Sequence, residues 1–142
     1  MKARELMTRD PECVTENDTL ERAATLMRDR NVGALPVVES NDSRRLIGIV
    51  TDRDIAIKHV AEGHGSGCEV GEVMSRGDLA TVGEDDDSDR VMSLMQERQV
   101  RRIPVVNGDR EVVGMIAQAD LALQSSDERE VEKTVEKISE PN

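Results

Sequence analysis

"RNVGALPVV" at residues 30–38 returns as "RQVRRIPVV" at residues 98–106, and "LIGIVTDRDIA" at residues 46–56 returns as "VVGMIAQADLA" at residues 112–122. The first alignment sets Arg30 on Arg98, Val32 on Val100 and Pro36 on Pro104; the second sets Gly48 on Gly114, Asp54 on Asp120 and Ala56 on Ala122. Two ordered copies of one pattern mean that the chain is a duplication. The offset is 68 residues for the first pair (Pro36 to Pro104) and 66 for the second (Asp54 to Asp120). The difference falls between "ESNDSRR" and "NGDRE", both rich in turn formers and both flanked by apolar runs. A strand, turn, strand hairpin absorbs a length change there.

Upstream of each hairpin lies a helical pattern. Leu20, Ala23, Ala24 and Met27 fall at i, i+3, i+4 and i+7, and their counterparts are Val91, Met92, Leu94 and Met95. Such spacing lays one apolar stripe along a helix. Asp18 and Asp86 stand just before the stripes and are expected to cap the first free amides, with Glu21 completing a capping box. Each half thus reads as short strand, helix, strand, turn, strand, helix, and Gly63, Gly65, Gly67 and Gly71 mark the join. The predicted fold class is α/β (α+β): two repeats, each a small sheet packed on two helices, related by pseudo-twofold symmetry. Residues 1–64 form repeat 1, residues 65–125 repeat 2, and residues 126–142 a C-terminal amphipathic helix and tail carrying Val131, Val135 and Ile138. A unit of about 60 residues buries little surface alone, so the repeats are expected to stack and share a core.

Composition excludes several functions. None of the 142 residues is Phe, Tyr or Trp, which leaves a core of aliphatic side chains and Met and removes base-stacking platforms. A net charge of −11 opposes nucleic acid and anionic membrane, so an anionic ligand must be held by a local cluster of donors. No apolar run approaches the roughly 18 residues of a membrane span, and "MKARELMTRD" lacks the apolar centre of a secretion signal. A cytoplasmic protein is expected, with Cys13 and Cys68 as free thiols. No arrangement of nucleophile, base and acid, and no glycine-rich phosphate loop, is present, so no enzyme is predicted.

The ordered strings "LMT" (6–8), "ALPVV" and "LIGIVTDRD", followed by "VMS" (73–75), "RIPVV" and "VVGMIAQAD", resemble a tandem pair of cystathionine-β-synthase (CBS) domains, or Bateman module. The layout is similar to small bacterial stand-alone CBS pairs of the hypoxic-response type. The resemblance implies a regulatory or sensor module that binds an adenosine-containing ligand (AMP, ADP, ATP or S-adenosylmethionine) in the cleft between repeats. It also implies a homodimer that works through an output protein.

The abrupt end of the apolar run at Thr51 suits that expectation. A hydroxyl at the point where strand becomes helix, with the unpaired amides of the first turn, can receive an anion, and Asp54 in the same turn can accept from a ribose diol. The same pair also reads as a plain helix cap. Carried over position by position, the resemblance implies ligand-binding roles for Thr51, Asp54, Arg53, Asp120, Arg101 and Arg102. It further implies that residues around the first strand, Val14 and Thr15, enclose adenine, and it counts Ala34 among the ligand-binding positions. The copies divide the set: the first has Thr51 but Gly33 and Ala34 where basic residues often stand, and the second has Arg101 and Arg102 but Ala117 in place of the hydroxyl. The arginines either reach a phosphate or pair with surface carboxylates.

"HVAEGHGSGC" (59–68) holds both histidines. His59, His64 and Cys68, with Cys13 as a conceivable fourth donor, are weak candidates for zinc. Their spacing matches no standard finger, so a plain linker is preferred and zinc is not expected. The alternative functions are a nucleotide-independent structural or stress-associated dimer, or a zinc-binding accessory protein.

Overall fold

A computed structural model describes residues 1–124. The expected helix over 126–142 lies outside the described residues. In chain order the elements are α1 (Ala3–Leu6), β1 (Thr8–Arg9), β2 (Val14–Thr15), α2 (Leu20–Arg30), β3 (Ala34–Ser40), β4 (Ser43–Thr51), α3 (Asp52–Ile55), a π-helical turn (Ala56–Val60) and a 3-10 turn (Val70–Glu72). These are followed by β5 (Val82–Gly83), α4 (Ser88–Arg98), β6 (Arg102–Val106), β7 (Val112–Ala117) and α5 (Gln118–Gln124). The α/β expectation and the element order within each copy are both met.

The chain divides into two compact units. One consists of Pro11–Leu79 with Arg110–Val112. Its sheet has the order β2-β3-β4. β2 runs parallel to β3, whereas β3 and β4 form the expected antiparallel hairpin, with register shifts between Val37 and Ser40. Those irregularities precede the turn where the copies differ in length, since an extra residue is absorbed most easily beside a loop. On β4, Ser75 exchanges both backbone hydrogen bonds with Ile49, at 2.8 and 3.1 Å. The core of this unit gathers Val14, Leu20, Ala23, Met27, Leu35, Val37, Val50, Val70, Val73 and Met74.

The other unit consists of Met1–Asp10, Ala80–Asp109 and the described residues from Val113 to Gln124. Its sheet has the order β1-β7-β6-β5, with Thr8 opposite Met115. Its core gathers Ala3, Leu6, Val82, Val91, Met92, Leu94, Met95, Ile103, Val105, Ile116 and Leu121. Ser75 on Ile49 and Thr8 on Met115 are equivalent pairings, so "LMT" and "VMS" do the same job. "LMT" from the first copy, however, completes the second copy's sheet, and "VMS" completes the first's. The boundary at residue 64 follows the duplication in sequence, whereas the compact units take their opening segments from the opposite copy. With those segments added, each unit has a hydrophobic cluster of its own.

Two local expectations are corrected. Asp18 and Asp86 do not cap helices: they accept backward from the Thr15 and Gly83 amides, at 2.8 and 2.7 Å. The caps are the next residues, Thr19 accepting from Arg22 N–H and Asp87 from Asp89 N–H. Moving the cap by one residue puts Arg22 at the third helical position, so Glu21 closes no capping box. On α2, Leu20, Ala23 and Met27 are buried but Ala24 is exposed, with Leu26 packed at the margin instead. The second stripe is buried as expected at Val91, Met92, Leu94 and Met95.

Candidate ligand site

In the first copy, the strand exit is closed by two reciprocal hydrogen bonds. Thr51 Oγ1 accepts from Asp54 N–H at 3.0 Å, and Asp54 Oδ2 accepts from Thr51 N–H at 3.0 Å. The geometry arises because β4 ends opposite the start of β3, with Thr51 facing Ala34, and the chain then turns at once into α3. Asp54 has a further partner one helical turn on: Lys58 Nζ lies 3.2 Å from Oδ1, and the Asp54 side chain is only 14% exposed. Lys58 also donates to the carbonyl of Val73 at 3.3 Å. Both carboxylate oxygens are therefore engaged within this unit. Thr51 keeps its O–H to donate, because accepting one hydrogen bond leaves a hydroxyl's donor free.

Among the described residues, the second copy builds the same turn with fewer internal commitments. Asp120 Oδ2 accepts from Ala117 N–H at 2.7 Å. The Arg101 carbonyl accepts from Gln118 N–H at 2.8 Å, as the Gly33 carbonyl does from Asp52 N–H at 2.9 Å. Position 117 supplies no hydroxyl, and the position equivalent to Lys58 is Gln124 rather than a lysine. Arg101 is exposed, and Arg102 is half-buried at the start of β6. Gln118 Nε2 is buried with no hydrogen-bond partner among the described residues. A buried donor left unpaired costs about 1–3 kcal/mol, so a ligand acceptor beside it would be stabilised. Gln118 was not singled out from the sequence, where an amide in a polar turn carries no signal.

The structure thus brings Thr51, Asp54 and Ala34 together in one unit, and Asp120, Arg101 and Arg102 in the other. Arg53 is exposed on α3. Val14 is 1% exposed, so its side chain belongs to the core and only its main chain can meet a ligand. Val14 and Thr15 pair with Val37 and Val38, three to four residues along β3 from Ala34. At about 3.3 Å per residue that is roughly 10–13 Å.

The capping geometry yields a paired expectation. Thr51→Ala should lower stability by about 0.5–2 kcal/mol through the lost cap, and Ala117→Thr should raise it by up to about 1 kcal/mol by supplying the missing acceptor. Urea denaturation of both variants checks the two signs together.

Cys13 and Cys68 are both free thiols, as expected. Cys13 donates to the Pro11 carbonyl at 3.4 Å. Burial pushes its thiol up, partly opposed by Arg44 and aided by Glu12. Arg44 is a basic neighbour that the sequence did not disclose, and it does not outweigh the burial. The Cys68 thiol is also raised, by loss of hydration and then by the carboxylates of Glu72 and Glu21. His59, His64 and Cys68 place one ligand atom each within 4.8 Å of one another, and Cys13 stands outside that group. Among the described residues no helix is long and apolar enough to cross a membrane.

Two α/β units built from a duplicated motif, each with an aspartate folded back onto its strand exit, define a tandem module of the Bateman type. The chain belongs to the CBS domain family, whose profile matches residues 3–59 and 70–126. It is 38% identical over 120 residues to Hypoxic response protein 1 of Mycobacterium tuberculosis, covering 84% of this chain and 82% of that protein. A crystal structure of Hypoxic Response Protein I with two coordinated zinc ions is similar at a TM-score of 0.78 and 35% identity, covering 88% of this chain and 99% of that one. The CBS domain pair of protein MJ0100, solved with 5'-methylthioadenosine and S-adenosyl-L-methionine, is similar at a TM-score of 0.77 and 28% identity, covering 87% and 94%.

Proposed function

We propose that the chain is a non-catalytic regulatory module that binds an adenosine-containing ligand of the AMP, ADP, ATP or S-adenosylmethionine kind, and that it works as a homodimer. The observation that carries this reading is the pair of strand-exit aspartates, of which Asp120 has one oxygen held by the backbone and no lysine at the position equivalent to Lys58. A carboxylate with an oxygen to spare accepts from two neighbouring hydroxyls, the pattern a ribose presents. Arg101 and Arg102 supply local positive charge against the net −11, and Gln118 Nε2 supplies a donor. The MJ0100 pair, solved with adenosine derivatives at 28% identity, supports the ligand class. The asymmetry makes Asp120 the leading ribose acceptor, because a ligand at Asp54 must compete with Lys58. Signalling further requires that the ligand prefer one conformation, since equal affinity for two shifts nothing.

Thermal shift and calorimetry with AMP, ADP, ATP and S-adenosylmethionine provide the test. A ligand at about 100 times its dissociation constant should add roughly 2.7 kcal/mol to unfolding. Asp120→Asn, which keeps an acceptor for the Ala117 amide, should remove that response, and Asp54→Asn should reduce it less. A wild-type protein indifferent to all four compounds would favour the second reading, a nucleotide-independent dimer. That reading draws on the internal closure of Thr51, Asp54 and Lys58, which needs no ligand to be complete.

A further inference from the structure

His59, His64 and Cys68 lie in one unit, from the π-helical turn to just before the 3-10 turn, and none has a role in the turn around Asp54. Their ligand atoms lie within 4.8 Å of one another, and the two imidazoles meet edge to face with centroids 5.9 Å apart. The outer members of the trio are tied to structured elements. His59 is in the turn Ala56–Val60, and the Cys68 carbonyl accepts from Leu20 N–H at 3.0 Å. His64 is drawn back by its own amide, which donates to the His59 carbonyl at 3.1 Å. Gly63 and Gly67 take the positive φ values of 72° and 90° that let so short a segment fold on itself.

A second observation is independent of this proximity. His59 Nδ1 is buried and has no hydrogen-bond partner among the described residues. A buried imidazole nitrogen without a partner is costly, and a metal ion is one of the few ligands that uses its lone pair directly. We propose that His59, His64 and Cys68 form a three-ligand site for a borderline divalent transition-metal ion of the zinc class, with water in the fourth position.

Two imidazole nitrogens and one thiolate suit zinc and its neighbours and are poor ligands for calcium or magnesium, which require oxygen. With zinc–nitrogen distances of about 2.0–2.1 Å and a zinc–sulfur distance of about 2.3 Å, tetrahedral donors sit roughly 3.3–3.8 Å apart. Closing the trio therefore asks for a movement of about 1 Å. His64, exposed between two glycines, can supply it. Glu72 and Glu21 lie near enough to Cys68 to act on its thiol, and their charge favours a cation. The site is independent of the proposed adenosine ligand, and its metal would clip residues 59–68 into a closed loop.

The test uses the full chain stripped with chelator and then titrated with cobalt(II) and zinc(II). One cobalt per chain should bind with a thiolate charge-transfer band and the visible bands of a tetrahedral ion, and zinc should displace it. Cys68→Ser should abolish the charge-transfer band, and His64→Ala, at an exposed loop position, should weaken zinc binding at least ~100-fold, beyond the effect typical of a merely supporting residue. Cys13→Ser should bind as the wild type does. Saturating zinc should protect Cys68, but not Cys13, from alkylation. Absence of the charge-transfer band in the wild type would overturn the site, as would undiminished zinc binding by the His64→Ala/Cys68→Ser double variant. Magnesium binding as strong as zinc binding would also overturn it.

Discussion

Gly114→Ala should destabilise the protein by about 1–3 kcal/mol, the range for forcing atoms into a packed interior. A Cβ at this position would overlap the Met7 side chain, meeting its Cγ at 2.7 Å and its Cβ at 2.9 Å. Neither Gly114 nor its counterpart Gly48 has a positive φ, so alanine is conformationally acceptable at both. Relieved of crowding, the exchange would gain about 0.4–1 kcal/mol by restricting the unfolded chain. The steric term is the larger and sets the sign. At Gly48 the obstacle is of another kind: a new Cβ would lie 2.7 Å from the backbone oxygen of Ser75 and 3.0 Å from Met74 Sδ. Gly48→Ala should cost a similar amount, but the two sites should differ in rescue. Met7→Ala should recover part of the Gly114→Ala loss in a double-mutant cycle, because the obstacle is a side chain. Met74→Ala should recover little of the Gly48→Ala loss, because the Ser75 carbonyl remains. Equal rescue at both sites would contradict the way "LMT" and "VMS" dock.

Leu35→Ala and Ile103→Ala should each cost about 2–5 kcal/mol, the span seen when a large aliphatic side chain is removed from a core. Leu35 is 1% exposed on β3, the middle strand of its sheet, and Ile103 is fully buried on the inner strand β6. They are equivalent residues of the duplicated "ALPVV" and "RIPVV" strings and serve the cores of different units. Similar losses are expected because each core is built from small aliphatic groups and Met, with no aromatic side chain to move into a cavity. Val32→Ala, at a residue 37% exposed, is the matching control and should change stability by no more than about 0.5 kcal/mol. Denaturant unfolding measures all three. A loss below about 1 kcal/mol at Leu35 or Ile103 would show that the site is not packed as described.

Much of the candidate site was open to inspection in the sequence. Thr51 and Asp54 are adjacent to the strand's end, so their mutual closure follows from local spacing. The Lys58 partner is equally local, four residues on, but an i, i+4 pair on a charged helix is common and by itself points to no site. Gln118 could not have been found this way, since only packing buries its amide. The same holds for Arg44 beside Cys13, and for Val14, whose place in a "VT" strand leaves open whether its side chain meets a ligand or the core. The histidine and cysteine trio lay in plain view, but a glycine-rich spacing does not say that a loop closes. That depends on Cys68 being held to the start of α2.

The duplicated strings, their periodicities and the turn residues between them determined by themselves that this is a two-copy CBS chain, the order of strands and helices within each copy, and most of the apolar stripes on α2 and α4. Those are local properties: an apolar stripe or a hairpin is written within a dozen residues. Only the tertiary structure decided which sheet each opening segment completes. "LMT" pairs with β7 at Met115 and "VMS" with β4 at Ile49, and the two strings are too alike for a short stretch to distinguish the pairings. That choice is made by chain connectivity and by the close approach of Met7 to Gly114 and of Ser75 to Gly48, contacts between residues far apart in the chain.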